Sequence, residues 1–164
     1  MDYIPTNAAH WHLVLNHLPV VGGVVVLLLL GWSAIRNSDD LKRTALGASV
    51  LLALVAIPAF LTGEPSEHQV EGLAGVSDRL ISEHEEMAEI ALWVAVAGGV
   101  AALAALVYFR RSRSIPRWVV LSLLGLNLAA CLVMARTANL GGKIHHPEIQ
   151  TYPSPEALPT DPER

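Results

Sequence analysis

Apolar residues fall along this chain in four long runs, at about positions 11–35, 41–61, 87–109 and 118–140, each closed by a polar break. A helix rises about 1.5 Å per residue, so each run is long enough to cross the roughly 30 Å hydrocarbon core of a bilayer. None carries Asp or Glu at mid-depth, and Leu, Val and Ala crowd them without the alternation of polar residues that a barrel strand shows. A segment in lipid must satisfy its own backbone hydrogen bonds, which such runs do as helices. The pattern predicts an all-α fold, a four-helix transmembrane bundle.

The breaks at 36–40 and 110–117 are short, which predicts two antiparallel hairpins. The middle connection, 62–86, is longer and contains Gly, Pro and Ser. Ser77 before Asp78 is an expected helix cap, so the third helix should begin near Asp78 as an extension beyond the membrane. Gly141 and Gly142 are expected to end the fourth helix. Residues 1–149 then form one membrane domain, and the Pro-rich tail 150–164 reads as disordered.

Composition agrees: 52% hydrophobic and only 16% charged residues exclude an ordinary soluble domain of this length. The net charge of −4 matters less than where the charges fall. Arg36, Lys42, Arg43, Arg110, Arg111, Arg113 and Arg117 flank the two short breaks, leaving Arg79, Arg136, Lys143 and Arg164 for the other side. By the positive-inside rule the short loops face the cytoplasm and both termini face the periplasm or exterior. The expected location is a bacterial inner membrane, multi-pass, with the lipid bilayer as partner and no nucleic acid. No basic region precedes the first apolar run, so the first helix is expected to stay in the mature protein. Cys131 is the single cysteine, which rules out an intrachain disulfide and covalent haem attachment through Cys-x-x-Cys-His.

This topology gathers His10, His12, His17, His68, His84, His145 and His146 at the outer end and leaves none at the inner end. Histidine is the usual neutral ligand of haem iron, zinc and copper, and ionisable groups at the edge of hydrocarbon are functional candidates. His17 lies six residues past Trp11, about 9 Å further down a helix, beside the helix-disturbing Pro19. Its bland reading is a ring satisfied by the carbonyl that Pro19 leaves without a donor. His84 shares the stripe Leu80, His84, Met87 and Ala91, opposite Ser82, Glu85, Glu86 and Glu89, which predicts that it faces the bundle. If the helices follow sequence order around the bundle, the first and third are diagonal, and His17 and His84 can approach a common centre. His12 and Asn16 share a face, whereas His12 and His17 diverge by about 140°. Arg136, one turn inside the outer end, should snorkel or pair with Glu64, Glu67 or a haem propionate.

The motifs His12-x-x-x-Asn16-His17-x-Pro19, Thr62-Gly63-Glu64-Pro65, Gly75-Val76-Ser77, His84-Glu85-Glu86 and Ala135-Arg136-Thr137-x-Asn139-Leu140-Gly141-Gly142 extend over nearly the whole chain to Ile149. In them the chain resembles a family of uncharacterised bacterial four-helix membrane proteins, related to a domain of unknown function. The family's closing motif, Gly-Gly-x-Ile-x-His-x-Glu-Ile, selects His146 over His145. The resemblance implies the fold and a short list of site residues: His12, His17, His84 and His146.

These observations lead to an expected membrane cytochrome, one b-type haem near the outer surface held by two of those histidines, with Arg136 beside it. It would pass electrons between a quinol and a periplasmic cytochrome or other acceptor, alone or in a larger respiratory complex. The four-helix dihaem cytochromes are similar in architecture but place ligands toward both surfaces, which this chain does not. The alternatives are a non-haem Zn, Cu or Fe site built from His12, His17, His84 and His146 with Glu64 or Glu85, and a structural subunit without chemistry of its own.

Overall fold

The computed structural model describes residues 5–71, 76–111, 114–146 and 149. It is all-helical: α1 (Ala8–Arg36), α2 (Asp39–Leu61), α3 (Gly63–Val70), α4 (Asp78–Tyr108) and α5 (Arg117–His145), with one 3₁₀ turn at Phe109–Arg111. Four helices, all but the short α3, are long and apolar enough to cross a membrane. Their outward faces expose large apolar side chains, among them Leu28, Ile35, Leu51, Trp93, Val100 and Leu132. Water would penalise that surface, whereas lipid solvates it.

The starts of the helices follow local chemistry. The Asn7 side chain accepts from the His10 amide and caps α1, three residues before the apolar run begins, and Ser38 accepts from Leu41 to cap α2. Asn37 between them takes a left-handed backbone, φ 49°, which Asn tolerates better than most residues and which turns the chain sharply. α4 begins at Asp78, as Ser77 predicts, although the Ser77 side chain makes no capping bond. The middle connection holds α3, which the apolar pattern does not announce; Glu64 and Pro65 in its first turn are the residue types that helix starts favour.

The helices follow sequence order around the bundle. α1 packs on α2 and α5, α4 packs on α2 and α5, and α1 lies diagonal to α4. Small residues set the spacing. Ala53 and Ala56 on α2 meet Ala91, Ala95 and Gly99 on α4, where a Cβ on Gly99 would collide with that of Ala53. At the end opposite the histidines, larger side chains, Leu30, Leu46, Ile115 and Val120, fill the core.

That arginine-rich end is also tied by polar bonds. Lys42, only 1% exposed, donates to the Ile115 carbonyl at 2.7 Å and to Asp39 at 3.3 Å, while Asp39 accepts from the Ile115 amide at 3.1 Å. The second short loop is thus clasped to the first turn of α2. Arg43 adds a bond to the Phe109 carbonyl at the end of α4. Replacing Lys42 with Met leaves a buried carbonyl without its donor and is expected to cost about 1–3 kcal/mol. A fall in the denaturant midpoint of the detergent-solubilised protein measures it, and an unchanged midpoint would show the clasp to be idle.

Candidate functional site

At the histidine end the packing loosens. Pro19 in α1 and Pro58 in α2 both interrupt the helical hydrogen-bond ladder there, and small residues, Ala56, Ala59, Ala91 and Gly141, line the space between the helices. The result is a cavity of 820 Å³, walled by α1, α2, α4 and α5 and bounded on one side by α3. Its volume lies within the range of small-molecule and cofactor sites, about 300–1,000 Å³. Val20, Leu92 and the buried Met134 are among its apolar lining, and Glu64, Glu67 and Glu85 are among its polar residues.

Two histidines meet across this space from the diagonal helices. The ring centroids of His12 on α1 and His84 on α4 are 6.4 Å apart, with ring planes at 84°. His12 Nδ1 lies 3.1 Å from the Ala59 carbonyl and 3.2 Å from the Thr62 hydroxyl; His84 Nδ1 lies 2.9 Å from the Thr137 carbonyl. A carbonyl only accepts, so each Nδ1 carries the proton and donates, which puts the lone pair of both rings on Nε2. This is the arrangement that ligating imidazoles use, one nitrogen anchored to the protein and the other left basic.

Glycine makes room for the His84 ring, whereas a side chain at position 63 would only touch His12. A Cβ on Gly63 would sit 3.6 Å from His12 Cε1, and one on Gly141 would sit 3.1 Å from His84 Cε1. Here the expectation that Gly141 and Gly142 end the fourth helix fails: α5 continues to His145. Gly141 is an interior helical position where the missing side chain admits the His84 ring.

The other expected site residues are distributed unevenly. His17 lines the same cavity but is exposed, and its Nδ1 donates to the Leu13 carbonyl at 2.6 Å. The carbonyl that Pro19 deprives of a donor is that of Leu15, four residues back, so His17 is not satisfied there. His146 also lines the cavity and is exposed. Arg136 is exposed on α5, does not line the cavity, and forms no ion pair among the described residues. Gly75 and the tail 150–164 lie outside the described residues.

Asn16, Gly63 and the carbonyls of Ala59 and Thr137 belong to the site and carry little sequence signal beyond the four-residue step from His12 to Asn16. Among the described residues no three His, Cys, Asp or Glu side chains come together to hold a metal ion.

Fold and site define a helical chain with four candidate membrane spans and a histidine-lined cavity at one end. Comparison with protein-family models, with curated proteins and with solved structures finds no match.

Proposed function

We propose that this chain is a membrane electron-transfer protein that would hold one b-type haem in the cavity through His12 and His84. The observation that carries the reading is the His12–His84 pair. The ring centroids lie 6.4 Å apart, a spacing that would let one iron between the rings bind a nitrogen of each. The donor set is compatible with the same group: a haem, whose macrocycle fills the remaining positions of its iron, would need only two ligands from the chain.

Haem supplies reversible one-electron redox chemistry, and the chain supplies the rest. Ala59 and Thr137 fix the orientation of the two rings through their Nδ1 protons. Val20, Leu92 and Met134 would keep water from the inner wall. His10 on the lining could meet the carboxylates of such a group. The concentration of Arg and Lys at the opposite end supports an orientation with the histidine end on the periplasmic side of a bacterial inner membrane.

Oxidised and dithionite-reduced visible spectra of the purified protein test the proposal. Sharp reduced α and Soret bands are expected, together with the highly anisotropic low-spin electron paramagnetic resonance signal that near-perpendicular imidazoles produce. A featureless spectrum from well-folded protein made with ample haem would overturn it.

A further inference from the structure

Asn16 and His17 stand on the next turn of α1 after His12, both line the cavity, and ligation by His12 and His84 uses neither. Asn16 is half-buried, and its side chain makes no hydrogen bond among the described residues. An amide offers two donor hydrogens and an acceptor oxygen, so a polar group facing the cavity there has a ready partner. His17 donates Nδ1–H to Leu13, which leaves its Nε2 to accept, and its ring is exposed on a helix apolar enough to span a membrane. Leu13 and Leu18, flanking it on α1, are likewise exposed, and Leu13 also lines the cavity. On this side the rim of the cavity combines an amide, a basic nitrogen and exposed apolar surface.

We infer that the Asn16–His17 corner binds the head group of a membrane-dissolved quinol, one hydroxyl donating to His17 Nε2 and held by the Asn16 amide. The chemistry selects this class. A neutral aromatic diol on an apolar tail matches an apolar rim with one acceptor and one amide, and it arrives through lipid. At this corner a phospholipid phosphate would find no lysine or arginine on the cavity lining.

The inference rests on the haem reading for the fate of the electrons. Oxidation of one quinol to quinone releases two electrons and two protons. The electrons leave one at a time by way of the haem to a one-electron acceptor protein at the histidine end. The first hydroxyl proton goes to His17 Nε2 and the second to water at the cavity mouth.

The test uses the full chain in nanodiscs under anaerobic conditions and a decyl-substituted benzoquinol. Calorimetry reads its binding without any redox change, and stopped-flow spectroscopy reads haem reduction by it, with dithionite as control. Asn16→Leu and His17→Leu are each expected to weaken binding about tenfold and to slow reduction by the quinol in step. His17→Gln, which keeps a hydrogen-bonding side chain, should retain most of the binding, and dithionite-reduced spectra should be the same throughout. No binding by the unaltered protein, or binding by both leucine variants as tight as that of the unaltered protein, would overturn the quinol site. A featureless spectrum with binding intact would overturn the haem reading and leave the quinol site standing.

Discussion

Replacing His84 with Ala is expected to abolish the haem spectrum of the purified protein, and His12→Ala to do the same or leave a high-spin remnant. Under the proposed function each ring would hold the haem, and among the described residues no other histidine shares its position. Loss of an outer-shell partner alone commonly costs 10–100-fold in metal affinity, about 1.4–2.8 kcal/mol, and loss of a ligand should exceed that. His17→Ala and His146→Ala are the matched controls: both residues line the cavity and are exposed, so neither change should remove the haem bands. Absorbance per protein, checked against total iron, decides. Full haem occupancy in both His12→Ala and His84→Ala would sink the ligand assignment. Loss of haem in His17→Ala with retention in His12→Ala would restore the pairing that depth along the helix suggests. Circular dichroism guards against misfolding, and His84→Gln supplies a variant of similar bulk.

The second large effect is structural. Gly99→Leu is expected to destabilise the bundle by about 3 kcal/mol or more, because a side chain there must enter the space held by Ala53 and the Ser49 carbonyl. Small residues let α2 and α4 approach closely, and in lipid close packing is a main source of helix–helix attraction. Gly31, Gly47 and Gly125 have open space where a Cβ would be added, so leucine at any of them should change stability little. Unfolding in mixed micelles of increasing sodium dodecyl sulfate content measures the difference. Equal midpoints for Gly99→Leu and Gly31→Leu would show that the α2–α4 seam is not tightly packed.

The frame of the molecule is legible in the apolar runs because length and hydropathy alone decide whether a helix can span lipid. Loop length also announces the hairpins, and the start at Asp78 follows from Ser77. Legibility stops at rotation and at neighbours. Depth along the first helix favours His17, yet the ring that meets His84 belongs to His12. Five residues turn a helix by about 140°, and the bond to Leu13 holds His17 toward the outside. Glycine misleads in a related way: Gly141-Gly142 reads as a terminator until the ring of His84 is seen beside it. Lys42 reads as a loop-flanking charge, and only the Ile115 carbonyl, 73 positions later in the chain, explains its burial. α3 escapes the apolar pattern because none of its residues is buried.

The two halves of the site are divided between the hairpins. His12 on α1 is oriented by a carbonyl of α2, and His84 on α4 by a carbonyl of α5. Each hairpin can therefore prepare its own imidazole, with the correct nitrogen protonated, before the two hairpins dock. A group bound by both rings would bridge the hairpins, and its binding energy would stabilise the assembled bundle through mass action. It would do so at the end where prolines and small residues leave the helices least tightly joined. Filling the cavity would then be the last step of assembly, a fastening that closes only when both hairpins are in place.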